Sequence, residues 1–136
     1  MISSQELRIW NWVNLDVVPY QITEIKQECI SANYYPNKEI TLGTQYYVSE
    51  NDIPYDTLFP IPIIEDILLK CGFKWNDLAR CYQDDHMIEL VNEEGINPNY
   101  FIWHNNGMVG RNPMHYLHQL QNLYFALVGK ELNVKL

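Results

Sequence analysis

The stretch NPMHYLHQLQNLYFALVGKELNVKL, residues 112–136, decides the fold class, because it reads as a capped amphipathic helix followed by an alternating segment. Asn112 has a side-chain oxygen suited to accepting free amide protons at a helix start, and Pro113 in the first helical position forfeits no hydrogen bond. Leu117, Leu120, Tyr124 and Leu127 recur at three- and four-residue steps, with Leu123, Phe125 and Val128 widening the apolar stripe. Gly129 supplies a residue that turns left-handed at the end. The pattern predicts a helix from Asn112 to Val128, roughly 24 Å long at 1.5 Å per residue. Beyond it, Leu132, Val134 and Leu136 alternate with Glu131, Asn133 and Lys135, the period of a strand with one buried face that ties down the C-terminus.

A second, shorter helix is predicted over Ile61 to Cys71. Pro62 falls in its first turn, Glu65 and Asp66 lie near the positive end of the helix dipole, and Ile63, Ile64, Ile67, Leu68 and Cys71 face the core. Gly72 ends it, and Phe73 folds back on the last turn. After this helix, Trp75 to Tyr82 is ambiguous and Met87 to Val91 reads as a strand. Tyr100 to Trp103 pairs with Met108 to Gly110 through His104-Asn105-Asn106-Gly107, where Asn106-Gly107 is a hairpin signal.

The first third reads as strands and turns: Leu7 to Val13, Val17 to Ile30 around Pro19, Glu39 to Leu42, and Tyr46 to Val48, divided by Asn14-Leu15-Asp16, Tyr35-Pro36-Asn37 and Gly43. These make a bent antiparallel sheet whose short strands suit an SH3-like arrangement, with Pro19 at an edge or bulge. Pro54, Pro60 and Pro62 mark residues 51–62 as a stiff connector. The expected fold is therefore α+β in one domain, 1–136: a small sheet over 1–50, the connector 51–62, and a helix, hairpin, helix and terminal strand over 63–136.

Of the 136 residues, 47% are apolar, enough for a core without disulfides. Cys29, Cys71 and Cys81 are odd in number and not spaced as a metal or redox pair, so they read as reduced, mostly buried thiols of a cytoplasmic protein. No run approaches the length needed to span a bilayer, and the N-terminus lacks a signal-peptide pattern, so no membrane association is expected. Seventeen acidic side chains against nine basic ones give a net charge of −8, which opposes a phosphate backbone.

Residues 116–132, from Tyr116 through the Gly129-Lys130-Glu131-Leu132 ending, resemble the C-terminus of a group of uncharacterised small proteins of Bacteroidetes genomes, prophages and phages. The group is similar at two other places. Its opening Leu-Arg-Ile-Gly-Asn-aromatic-Val is matched by Leu7-Arg8-Ile9-Trp10-Asn11-Trp12-Val13, and its Ile-Pro-led helix ending in Gly-Phe by Ile61-Pro62 through Cys71-Gly72-Phe73. Trp10 stands where the group usually carries glycine. The resemblance implies a mobile-element or gut-bacterial setting and brings no activity with it.

His115 and His118 sit one turn apart on the expected helix, a spacing that places two imidazoles on one metal, with His104 or Asp84-Asp85-His86 as sources of a third ligand. Two polar positions near a helix start explain the pair with less. Asp84 with Asp85, or Glu93 with Glu94, have the composition of an acid–base pair, but both flank turn signals and a solvated loop accounts for them. Cys71 or Cys81 with His86 matches no thiol-nucleophile spacing. There is no phosphate loop, nucleophile elbow or zinc helix. No catalytic residue, resident metal or cofactor is assigned.

The 18 aromatic residues exceed what one core of this size must bury. Trp10, Trp12, Tyr34, Tyr35, Tyr46 and Tyr47 crowd the N-terminal sheet, and adjacent tyrosines in a strand point to opposite faces. A tyrosine-rich core with wet hydroxyls is the bland account. Exposed tyrosine and tryptophan anchor protein interfaces, whereas base stacking ordinarily comes with a basic groove that this chain lacks. The sequence thus predicts an interaction module that binds an unidentified protein, or a second copy of itself, through an aromatic face. A nucleic-acid-associated accessory protein and a metal-dependent hydrolase built on His104, His115 or His118 are the alternatives.

Overall fold

The computed structural model describes residues 2–36, 47–92 and 99–136. It shows the expected α+β class, two antiparallel sheets with a short helix and a C-terminal helix, and its backbone divides into two compact units, Met1–Ile61 with Leu136, and Pro62–Lys135. The strands predicted at Glu39 to Leu42 and at Tyr46 lie outside the described residues.

The first unit opens with a 3-10 turn, Ser4–Glu6, closed by a capping box: Ser3 Oγ accepts from Gln5 N and Glu6 Oε2 accepts from Ser3 N. Strands β1 (Trp12–Leu15), β2 (Val18–Ile25), β3 (Cys29–Tyr34) and β4 (Val48–Pro54) follow as an antiparallel meander, and β5 (Leu58–Phe59) returns to pair with β1. The resulting order is β4-β3-β2-β1-β5, with a 3-10 turn at Tyr55–Thr57 ahead of the last strand. Among the described residues β4 and β5 are the sheet's two edges. Register shifts between Ile22 and Glu24, with the extra residue in β2, and between Ile30 and Ala32, with the extra residue in β4, are the bulges that bend the sheet. Val13, Ile22, Ile30, Ala32 and Leu58 are almost wholly buried at its centre.

Two expectations for this unit are corrected. The turn between β1 and β2 is Asp16-Val17, not Asn14-Leu15-Asp16, because Leu15 still pairs with Val18 and Asp16 takes the left-handed backbone at φ 55. Residues 51–62 are no plain connector: their first third belongs to β4, where Ile53 faces the core opposite Ile30, and Pro54 closes the strand.

In the second unit, α1 (Glu65–Lys70) is followed by β6 (Lys74–Asn76), β7 (Cys81–Gln83), β8 (Ile88–Asn92), β9 (Tyr100–His104), β10 (Gly107–Met114) and α2 (Leu117–Val128). The five strands form a meander in sequence order. α1 is shorter than the predicted Ile61–Cys71 because Ile64 remains extended (φ −119, ψ 167); Ile64 is exposed, not core-facing. Its end is as expected: Gly72 at φ 84 lets Phe73 N donate to Leu68 O and Gly72 N to Leu69 O, and Phe73 is buried.

The C-terminal helix also starts late. Asn112 and Pro113 lie in β10, an edge strand where a missing amide costs no ladder bond, within the irregular stretch between Val109 and Met114 that has Gly110 at φ 75. Gln119 caps the helix instead, its Oε1 accepting from His115 N at 2.9 Å and Tyr116 N at 3.2 Å. The buried face is Leu117, His118, Leu120, Gln121 and Tyr124, so it widens toward two polar residues; Leu123 and Leu127 are half-buried and Phe125 is exposed. Gly129 does end the helix, at φ 77. The predicted terminal strand is absent. Residues 131–136 run without a ladder, although Leu132 is buried and Lys135 N donates to Lys70 O.

Candidate functional site

The six aromatic residues singled out from sequence separate by burial. Trp10 and Tyr47 are exposed, Trp12 is buried at 7%, Tyr34 and Tyr35 are half-buried, and Tyr46 lies outside the described residues. Tyr34 and Tyr35 do not oppose each other across a strand, because β3 ends at Tyr34 and both rings line one cleft. Trp12 from β1, Pro19 from β2 and Pro36 beyond β3 complete its principal walls, with Val17, Val18 and Leu136, and it encloses about 210 Å³.

Rings continue beyond the cleft. Trp12 and Tyr35 have centroids 5.8 Å apart at 51°, and Tyr35 and Tyr47 are 6.0 Å apart at 55°. Tyr34 leans on Tyr20 at 5.5 Å, and Tyr20 donates its hydroxyl to Glu50 at 3.0 Å, so burial and then that carboxylate raise the Tyr20 pKa. Tyr35 donates to Gln21 Oε1 at 3.3 Å. Hydroxyls thus anchor the ring edges while the rings form walls, the amphipathic use of tyrosine that suits a binding surface. Pro19, Pro36 and Val17 as lining residues were not singled out by sequence; the two prolines beside a turn were the available signal.

A polar constellation in the second unit was only half legible. Asp84, its side chain 7% exposed, accepts from His86 N and Ile88 N through Oδ1, both at 3.0 Å, and from the Tyr124 hydroxyl through Oδ2 at 2.7 Å. Tyr124 O also lies 2.9 Å from His86 Nδ1. The single hydroxyl proton goes to the carboxylate, which assigns the other proton to His86 Nδ1 and leaves Nε2 as that ring's remaining nitrogen. Three donors occupy Asp84, so it works as a strut between the β7–β8 turn and α2 rather than as a general base. Sequence paired Asp84 with Asp85 and placed Tyr124 in an apolar stripe, and no local pattern joins residues forty positions apart.

The histidines do not converge. His104 ends β9 opposite Gly107, His115 is exposed in the extended segment before α2, and His118 is buried with its ring parallel to Tyr116 within 9° and 6.0 Å away. His115 and His118 therefore share no helical face. Among the described residues no three His, Cys, Asp or Glu side chains gather as a metal site, and no helix is long and apolar enough to cross a membrane. Glu93 and Glu94 lie outside the described residues. All three thiols titrate above the ordinary value, chiefly through burial: Cys71 is pushed up to about 12, Cys81 is raised further by Glu89, and Cys29 by Asp52. None is an activated thiolate.

Compared with known proteins, the chain matches no family model, no curated protein and no solved structure.

Proposed function

We propose that the protein is an interaction module of a phage or mobile element that binds a host or phage protein through the aromatic cleft and ring row of its first unit. The observation that carries this reading is the continuous Trp12–Tyr35–Tyr47 row, which runs from a nearly buried indole through a half-buried phenol to an exposed one beside the open cleft. Rigid aromatic rings already held in place lose little freedom on binding and exclude water from a contact. The acidic balance of the chain favours a protein over nucleic acid.

The setting rests on the three resembling segments. One detail of the backbone agrees with it: Trp10, where the group usually carries glycine, has φ 76, a conformation that favours glycine.

Affinity capture with tagged full-length chain from a Bacteroidetes lysate, split into nuclease-treated and untreated halves, tests the reading. The expected result is a protein recovered equally from both halves and lost on Tyr35→Ala with Tyr47→Ala, in a variant whose circular dichroism and melting match the parent. Recovery that vanishes with nuclease, or that survives loss of both rings, overturns it.

A further inference from the structure

The ligand chemistry of the cleft follows from its walls, its size and the charge around it, and it rests on the interaction reading above. We infer that the cleft at Trp12, Tyr34 and Tyr35 is a cation pocket, and that its occupant is the ammonium or guanidinium head of a side chain on the partner protein.

The lining carries no charged side chain: Pro19, Pro36, Val17, Val18 and Leu136 accompany the three aromatic residues around an open cleft. Trp12 and Tyr35 both line the void, with ring centroids 5.8 Å apart and planes tilted by 51°. A ring face is the negative side of its quadrupole, and a cation over it within about 6 Å is attracted more strongly where water is excluded. A neutral apolar group gains only from desolvation there.

Size narrows the occupant. At about 210 Å³ the void is smaller than the roughly 300–1,000 Å³ that holds a drug-sized ligand or cofactor. It admits the end of one side chain.

Charge selects its sign. Residues 1–61 hold eight acidic against three basic side chains, a net of −5. Asp16, exposed in the β1–β2 turn, adjoins the lining residue Val17. Glu50 stands behind Tyr34 through Tyr20. Lys26 is held by Asp52 at 2.9 Å and by Glu24 at 3.8 Å. The field at the cleft therefore draws cations and repels phosphates and carboxylates.

The test titrates the full-length protein with choline and with 3,3-dimethylbutan-1-ol, which has the same shape without the charge, reading side-chain NMR shifts of Trp12, Tyr34 and Tyr35 and the tryptophan fluorescence. Choline is expected to bind saturably and about tenfold tighter than the neutral alcohol, with affinity falling as salt rises. Tyr35→Leu, which keeps an apolar wall but removes the ring, is expected to abolish the preference while the alcohol still binds. Tyr34→Leu makes the same comparison if Tyr35→Leu does not fold. Guanidinium and tetramethylammonium, run in parallel, separate an arginine-type from a methylated-lysine-type head. Equal or tighter binding of the alcohol, or no binding by any cation, overturns the inference. Capture that depends on Tyr35 and Tyr47 in the lysate experiment then leaves the interaction reading standing, whereas capture that ignores those rings removes that reading whatever choline does.

Discussion

Tyr124 donates its hydroxyl proton to Asp84 across forty positions of sequence, at 2.7 Å, and that bond joins α2 to the turn where β8 begins. The carboxylate is nearly buried and the phenol is 4% exposed, so removing one partner strands the other where water reaches it poorly. Tyr124→Phe is expected to cost about 1.5–3 kcal/mol, the range for a hydrogen bond to a charged group. Asp84→Ala should cost more, since Oδ1 also holds two amides. A double-mutant cycle by urea unfolding checks the pair: a coupling near zero would show that the bond contributes nothing.

Alkaline pH should weaken the fold, and the sign follows from three protons. Burial raises Cys71 from 9.0 to about 12; burial, then a hydrogen bond to Glu65, raises Tyr82 from 10.0 to about 12; burial, then Asp84, raises Tyr124 above 10.0. The unfolded chain releases these protons first, so the stability they contribute is complete below about pH 9 and drains away as pH rises toward 12. Melting temperature measured from pH 7 to 11 should be flat and then fall. Cys71→Ala should flatten the section that begins near pH 9, where the unfolded thiol titrates. An unchanged slope in that variant would remove the thiol from the account.

Trp10 sits at φ 76 with a ring about half exposed, so its backbone is strained while its side chain buries little. Trp10→Gly and Trp10→Ala remove the same indole, yet only glycine relieves the left-handed strain. The glycine variant is expected to be more stable than the alanine variant by about 1 kcal/mol, the left-handed penalty less glycine's extra chain entropy. Equal urea midpoints would mean that the backbone shifts to another conformation when the indole is gone.

Trp12 and Tyr47 belong to one ring row but should answer differently to truncation. Trp12→Ala opens a hole beside the sheet and is expected to cost about 3–5 kcal/mol. Tyr47→Ala, at a 53% exposed site, should stay within about 0.5 kcal/mol of the parent. Thermal melts decide between them, and a large loss at Tyr47 would make it structural and disqualify it as an interface probe.

How legible these features were depended on range. Helix ends governed by neighbouring residues, such as Gly72 with Phe73 and the stop at Gly129, could be read because the backbone need and the residue that meets it adjoin. The start of α2 could not, because two caps competed: Asn112-Pro113 has the stronger local signature, yet β10 pairs with β9 as far as Met114, and sheet pairing overrides a cap. The tail residues 131–136 alternate like a strand without being one, since alternation needs a partner edge that local pattern does not supply. At the cleft, sequence marked the aromatic residues but ranked Trp12 with Tyr47, because burial depends on tertiary packing: Trp12 sits in β1 between β2 and β5, whereas Tyr47 precedes the edge strand β4.

The β9–β10 hairpin offers the sharpest test of local against tertiary control. The sequence pairs Tyr100 to Trp103 with Met108 to Gly110 through His104-Asn105-Asn106-Gly107, and the structure has that connection: Trp103 pairs with Met108, His104 with Gly107, and the central residues are Asn105 and Asn106, at φ 52 and φ 64. Positive φ at both centres is the two-residue turn that matches strand twist, and asparagine tolerates it. A register shifted by one residue, with Asn106-Gly107 as the two central residues, disagrees with the observed one about Asn105. In the shifted register it is a strand residue, and Asn105→Val should be harmless or helpful. In the observed register a β-branched side chain meets a left-handed backbone, and Asn105→Val is expected to cost about 1–2 kcal/mol. Asn105→Gly should hold or gain stability in the observed register and lose it in the other. Urea unfolding of the two variants gives opposite rank orders for the two registers, so one pair of measurements fixes which turn the chain makes.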